Sequence, residues 1–530
     1  MMQLSFIKKY AAILVAAFLM VLAAPPLDYW PLALFALVPF LFGLSALSIS
    51  VAFFHGWFLG ILIYAGTSYW WVPLLQDFAQ LSLLSSLAIS VLLIAYQALV
   101  FALWAAVTQW LTLRKSVSIY LAAPLTFLIF ESFLPFFFKA HLAITVWKVW
   151  PLTQVAEFGG TAAVSGLLVL INTVFCGCIQ SYRSMGKVKL AINFSAWPWA
   201  CCILIFILIF SGVRHYQLLD EQQNAATLEV GVLQPNFGIV SLAERQHRGA
   251  YFQSILQQAS RRLRDSGVDL LLWPESAWPY LWDRSMQTSF PAGHPWEILE
   301  GSTPAILMGT LSHDFGRKSV YNSAVLIDRN RRIVGIYDKQ DLLPFAEAIP
   351  PWFRYCFPDS VQAVRAAIPE WPDLLSGAGS QVLATKDWTV GVYLCSEDLL
   401  PDPHTEINRS KADFLVSLSN DAWFLNKAAA LQHFALSSFR AIEHRRPLIR
   451  ASNTGYSGMF DALGRVQIMG DWTAAINVEK KEPAELLSVT LEIGRLSPYW
   501  GQLRPYSAYI AILVVVCTVI LNCARRNHLK

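Results

Sequence analysis

Charge is what this sequence has least of. Lys, Arg, Asp and Glu make up 14% of the 530 residues, while 55% are hydrophobic; ordinary soluble domains carry roughly a quarter of charged residues. That composition excludes a protein soluble along its whole length. The few charges nearly balance, to a formal net charge of +4 at pH 7. Such a balance provides no basic field for nucleic acid, so no nucleic-acid partner is expected. Cysteine is sparse too, at eight residues. They form no CxxC pair and no His/Cys cluster at metal-ligand spacing, so neither a metal nor another cofactor is predicted.

The scarcity of charge is uneven. Residues 1–210 hold thirteen Lys, Arg, Asp or Glu, and the following 320 hold sixty-three. A shift of that size predicts a membrane domain at 1–213, a water-facing domain at 214–500, and a last helix with a tail at 501–530. Apolar runs near 10–26, 31–49, 52–75, 84–111, 119–138, 161–181, 195–213 and 507–524 approach the roughly 20 residues that a spanning helix needs. Eight helices are therefore predicted, the first retained rather than cleaved as a signal peptide. Lys8 and Lys9, Arg114 and Lys115, Arg183, Lys187 and Lys189, and Arg525, Arg526 and Lys530 all fall on one side of such an arrangement. The positive-inside rule makes that side the cytoplasm, with both termini. Residues 214–500 then face outward, which in a bacterium with two membranes is the periplasm. Lys139 and Lys148 fall on the outer side.

Three apolar stretches of the water-facing segment each end on a chemically useful group. VGVYLCSED (Val390–Asp398) alternates like a buried strand and delivers Cys395 to a turn. DLLLWPESAWP (Asp269–Pro279) ends in Glu275, and IYDKQDLLPFAEAIP (Ile336–Pro350) delivers Lys339 followed by Glu347. A lone buried cysteine usually only fills space. Together with the other two groups it has a chemical reading. A free thiol needs a nearby base or cation to be mostly thiolate at neutral pH; Glu275 can take its proton and Lys339 can favour the anion. Lys339 and the Ser396 N–H can hold the oxyanion that forms when Cys395 attacks an ester carbonyl. The product is a thioester that an amine then attacks, with Glu275 taking the amine's proton. Spacing alone reaches membrane-bound, thiol-dependent acyl transfer or amide hydrolysis. Cys356, the other cysteine of this segment, is read as a buried structural thiol rather than a disulfide partner of Cys395. Further strands near 226–236, 304–310, 319–328, 412–418 and 447–451, with helices near 243–265 and 428–444, predict layered α/β packing.

WPES, then YDKxxLLPFxExxP, then Cys-x-Glu resembles the nitrilase superfamily, and within it the membrane-bound apolipoprotein N-acyltransferase family. The membrane part resembles that family as well, in Ala23–Leu41, His55–Gly60 and Pro151–Asn172. The resemblance implies an α-β-β-α sandwich beside the multi-pass helical domain. It also implies transfer of a fatty acyl chain from a phospholipid to the α-amine of a diacylglyceryl-modified apolipoprotein. Glu275, Lys339 and Cys395 would be its catalytic residues; Glu347 matches the additional carboxylate, and Glu397 matches the Glu of Cys-x-Glu, with turn capping as the alternative. SLSNDAWF (Ser417–Phe424), LQHF (Leu431–Phe434) and RAIEHRRPLIRASNTG (Arg440–Gly455) match too, with Arg440, Glu443 and Arg450 read as an ion-pair set. The chain departs from the family at Ser396, where a Tyr is usual, and at 425–430, which lacks glycine. It departs again at Leu134, where an Arg would follow Glu131. Glu131 is therefore read as a neutral or snorkelling group. His141, Trp147, Lys148 and Trp150 are read as interfacial anchors, with a lipid entry site as the alternative. A membrane-tethered amidase and a catalytically silent lipoprotein- or lipid-binding relative are the competing functions; a transporter is disfavoured by the near absence of intramembrane charge.

Overall fold

A computed structural model describes residues 2–528 apart from 185–196, 239–243, 363–372, 380–381, 400–410, 472–484, 494–497, 499–503 and a few single positions. Lys139, Lys187, Lys189, Leu425 and Lys530, invoked above, lie outside the described residues. The chain divides into two compact units, one of residues 1–72, 82–216 and 499–530, the other of residues 73–81 and 217–498.

The first unit is helical. Among the described residues, five helices are long and apolar enough to cross a membrane: Ile49–Thr67, Leu83–Lys115, Ala156–Tyr182, Ala200–Gln222 and Arg504–Ala524. Tyr10–Ala23, Trp30–Leu44 and Ile119–Phe133 are apolar but shorter. Five helices rather than eight thus meet the length criterion. Charges inside this unit are paired, as the cost of burying an isolated charge requires. Glu157 and Arg214, both fully buried, form a two-pronged ion pair at 3.0 and 2.7 Å. Glu131 does not snorkel: it is buried, its Oε2 lies 3.0 Å from His141 Nδ1, and its Oε1 accepts from the Leu142 N–H at 2.8 Å. Trp147 is likewise no interfacial anchor; it is buried and donates its indole N–H to Asp28 at 3.0 Å, beside Lys148 at 2.7 Å.

The second unit is built on two sheets. In chain order its strands are β1 (Ala226–Gln234), β2 (Leu270–Trp273), β3 (Trp282–Asp283), β4 (Ala305–Asp314), β5 (Ser319–Ile327), β6 (Ile333–Asp338), β7 (Leu383–Ala384), β8 (Thr389–Leu394), β9 (Phe414–Ser419), β10 (Leu448–Ser452), β11 (Gly458–Phe460), β12 (Val466–Met469) and β13 (Glu485–Ile493). One sheet runs β13-β1-β2-β4-β5-β6, with β3 on β4, and the other runs β12-β11-β10-β9-β8-β7. Alternate side chains explain the layering. Val230, Val232, Leu270, Leu272, Leu307 and Leu326 of the first sheet pack with Val390, Val392, Leu394, Phe414, Val416 and Ile449 of the second. The opposite face of the first sheet, through Leu271, Trp273, Ile306 and Met308, meets Leu256, Ala259 and Leu263 of the helix Gly249–Asp265. The helix Lys427–His444 follows β9 and precedes the parallel strand β10, as a crossover connection does. The result is the expected α-β-β-α sandwich.

Strand direction then determines where polar groups gather. β1, β2 and β4 are parallel, β5 is antiparallel to both β4 and β6, and β8, β9 and β10 are parallel. β2, β4 and β6 therefore all end at the same edge of their sheet. Gly309 on β4 leaves room for the turn after β2: a Cβ there would stand 2.4 Å from the Pro274 carbonyl oxygen and 2.5 Å from the Glu275 Cα. We expect Gly309→Ala to cost about 1–3 kcal/mol, the usual penalty of overpacking, read as a lower thermal midpoint of the purified full chain. An unchanged midpoint would mean that β4 yields freely at this point.

Candidate active site

The turns that follow β2, β6 and β8 bring Glu275, Lys339 and Cys395 together. Pro274 ends β2, and Ser276 adopts a left-handed backbone (φ +51°) that turns the chain at Glu275. Lys339 follows β6 directly. The residue before it, Asp338, is held by Arg284 at 2.6 and 2.8 Å and by the Ser323 hydroxyl at 2.6 Å. Cys395 opens a short 3-10 turn, Cys395–Asp398, and is itself left-handed (φ +49°). A non-glycine residue in that region costs of order 1–3 kcal/mol and persists only where its surroundings hold it.

Lys339 is the hub. Its ammonium, fully buried, lies 2.9 and 2.8 Å from the two oxygens of Glu347 and 3.5 Å from Glu275 Oε1. Glu347 also accepts from the Leu343 N–H at 2.8 Å. The side-chain amide of Asn322, on β5, donates to Glu275 Oε1 at 2.7 Å and to Glu347 Oε1 at 2.9 Å. Glu275 Oε2 has no hydrogen-bond partner among the described residues, and the Cys395 thiol is close enough to sense the charges of both Glu275 and Lys339.

Burial pushes the Glu275 carboxyl above the usual carboxylate range, against the pull of Lys339. Burial also opposes the charge on Lys339, but Glu347 and Glu275 outweigh it and hold the ammonium above its ordinary value. The Cys395 thiol is raised well above its ordinary value, by burial first and by Glu275 next, with Lys339 pulling the other way. Lys339 thus favours the anion, as expected, but burial and Glu275 outweigh it. Burial shifts both Cys395 and Glu275 toward their protonated forms.

Glu397 is more than a turn cap. It caps its own turn by accepting from the Leu394 N–H at 2.8 Å. It also accepts from the Tyr337 hydroxyl at 2.9 Å to both oxygens, from the Gln340 N–H at 2.8 Å and from the Asp341 N–H at 3.4 Å. One buried carboxylate thus ties the chain around Lys339 to the turn that carries Cys395.

Residues 230–480 match the carbon-nitrogen hydrolase family model, and residues 16–174 match that of the apolipoprotein N-acyltransferase N-terminal domain. Over most of its length the chain is similar to the apolipoprotein N-acyltransferase family. Relatives of that name include one from Geobacter metallireducens, 28% identical over 477 residues and covering 87% of each chain. Another, from Gloeobacter violaceus, is 28% identical over 521 residues, covering 93% of this chain and 91% of its own. Among solved structures, the Saccharomyces cerevisiae nitrilase-superfamily protein Nit3 aligns with a TM-score of 0.34 at 13% identity, over 50% of this chain and 90% of its own.

Ser396 is buried and its hydroxyl has no partner among the described residues. Cys356 is exposed and free rather than buried, and Cys395 is free as well. The expected ion-pair set splits: Arg440 pairs with Glu443 at 2.7 Å, while Arg450 pairs with Asp398 at 2.6 Å and Asp421 at 3.0 Å. Sequence reasoning missed Asn322, whose only signal was an amide within strand β5, next to Ser323. It missed Asp398 and His433 for a similar reason, since their importance depends on which strands adjoin.

These assignments separate two roles for Glu275 that sequence cannot. Because its charge raises the thiol, Glu275→Gln is expected to move alkylation of Cys395 by iodoacetamide to lower pH. Acyl transfer by the same variant is expected to fall about 10²–10⁴-fold, the usual contribution of a general base. Alkylation that shifts to higher pH would show that Glu275 promotes the resting thiolate instead.

Proposed function

We propose that this chain transfers a fatty acyl chain from a phospholipid to the N-terminal α-amine of a diacylglyceryl-modified apolipoprotein, through a thioester on Cys395. The observation that carries the reading is the thiol of Cys395 close enough to sense the charges of both Glu275 and the buried Lys339 ammonium.

In the first step Cys395 Sγ attacks the ester carbonyl carbon as its proton passes to Glu275. The oxyanion is held by the Lys339 ammonium and the Ser396 N–H, donors whose charge or dipole is already in place before charge develops. The C–O bond breaks, Glu275 returns its proton to the departing alcohol, and lysophospholipid leaves. In the second step the acceptor amine attacks the thioester and Glu275 takes the amine's proton. The C–S bond breaks, the thiol is re-formed, and the product is an amide. Glu347 holds Lys339 charged and in place, and Glu397 fixes the spacing between Lys339 and Cys395.

We assign 1–213 with 501–530 to the bacterial inner membrane, both termini cytoplasmic, and 214–500 to the periplasm. The low charge of the first stretch and the one-sided placement of its short-loop Lys and Arg support this. That placement gives the site access to outer-leaflet phospholipid, a donor that soluble amidases do not meet.

The full chain incubated with phospholipid and no acceptor is expected to gain one fatty-acyl mass, removable by hydroxylamine and absent in Cys395→Ala. No increment on folded protein with reduced Cys395 would overturn the reading. Free fatty acid released at the same rate with or without the acceptor would make water the acceptor and the chain an amidase-like hydrolase.

A further inference from the structure

Beneath the turn that carries Cys395 lies a second set of charges that the mechanism above does not use. Asp398, Asp421, His433 and Arg450 are all buried, and they come from four elements: the turn after β8, the turn after β9, the helix Lys427–His444 and β10. His433 Nε2 stands 2.9 Å from Asp398 Oδ1, and His433 Nδ1 stands 2.8 Å from Asp421 Oδ1. Arg450 reaches the same carboxylates, with Nη1 at 2.6 Å from Asp398 and Nη2 at 3.0 and 3.1 Å from Asp421. Ser417 and Ser437 hydroxyls donate to Asp398, each at 2.7 Å.

Ionised carboxylates only accept hydrogen bonds, so a ring with one carboxylate on each nitrogen carries a proton on both. The 3.0 Å between Arg450 Nη2 and His433 Nδ1 is then the distance between two donors that share Asp421 Oδ1. We propose that His433 remains an imidazolium throughout the reaction and is a positioning residue, its two N–H groups tying the turn of the nucleophile to the end of the next strand.

The charges fit this reading. Two carboxylates, a guanidinium and an imidazolium sum to zero; loss of the ring proton would leave a net negative charge close to the thiol. Asp421 already raises the Cys395 thiol, and Arg450 is close enough to sense the thiolate. Burial and Arg450 work to discharge the ring, while Asp398 and Asp421 outweigh them. Phe424 also packs against the ring, centroids 6.0 Å apart, and carries no charge. The cluster therefore serves the nucleophile twice: it holds the left-handed Cys395 in place, and it keeps net negative charge away from a sulfur and an oxygen that must both become anionic.

The inference rests on Cys395 as the nucleophile, and its test has two arms. In the first, thioester formation from phospholipid is followed against pH in the full chain and in Asp398→Asn. With one carboxylate removed, the ring loses its proton within the ordinary histidine range. In that variant the cluster goes from +1 to zero as the ring deprotonates, so a positive charge near the developing thiolate is lost and an alkaline limb appears that wild type lacks, the rate falling by up to about tenfold per pH unit. In the second arm, nitrogen NMR of histidine-labelled wild type is expected to show two protonated ring nitrogens on His433 at pH 8. A single N–H there, or superimposable pH profiles, would overturn the proposal. If Asp398→Asn does not fold, the NMR arm still decides. The arms also separate failures: acyl transfer by Cys395→Ala with a doubly protonated His433 would refute the nucleophile, whereas a singly protonated ring with Cys395→Ala inactive would refute the imidazolium alone.

Discussion

A buried ammonium is the constraint from which the rest of the site follows. Lys339 lies out of water at the end of β6, and an unpaired charge in that position costs several kcal/mol. Two carboxylates answer it unequally. Glu347 meets it with both oxygens at 2.9 and 2.8 Å, while Glu275 stands at 3.5 Å through one oxygen. The closer carboxylate serves as counter-ion. The more distant one is raised by burial, which suits it to the proton transfer proposed above. Two glutamates of identical chemistry thus acquire different roles through distance and burial, as paired acid and base groups commonly do.

Holding that geometry requires the two sheets to stay in register with each other, because Lys339 ends a strand of one and Cys395 ends a strand of the other. Hydrophobic contact between the sheets gives cohesion but little direction. Direction between the sheets comes from Glu397, a buried carboxylate that receives N–H groups from both sides of the gap; Asp398 and Asp421, which receive His433 and Arg450, fix the strand ends of the second sheet relative to one another. Each is fully satisfied only in one arrangement, and a half-satisfied buried carboxylate is costly. The strained Cys395 backbone is the local consequence of an arrangement determined elsewhere.

What the sequence made legible was local. Apolar alternation located β2, β6 and β8 to within a residue or two, and the groups at their ends were readable because a strand end is where a chain must turn. Composition separated the helical unit from the sandwich. What escaped was pairwise. Asn322 bridges Glu275 and Glu347 only because β5 lies between β4 and β6, and Arg450 meets Asp398 rather than Glu443 only because β10 and β8 flank β9. Cys356 was misread because a thiol's burial depends on what folds over it. Glu131 was misread because its partner, His141, lies ten residues away instead of at the helical spacing of an Arg.

The resting thiol also bears on where this chemistry operates. Thiolate, not thiol, is the species that attacks disulfides and is oxidised to sulfenic acid. In the periplasmic placement proposed above, a cysteine held as thiolate by Lys339 would be exposed to both reactions between turnovers. Burial and the charge of Glu275 raise the Cys395 thiol, and in the mechanism proposed above attack and proton transfer occur together once an ester carbonyl is in position. A free thiolate would make the first step faster in isolation, yet would shorten the life of the enzyme. Coupling the proton to the attack gives up part of that rate and keeps the sulfur reduced, which in an oxidising compartment is the condition for any turnover at all.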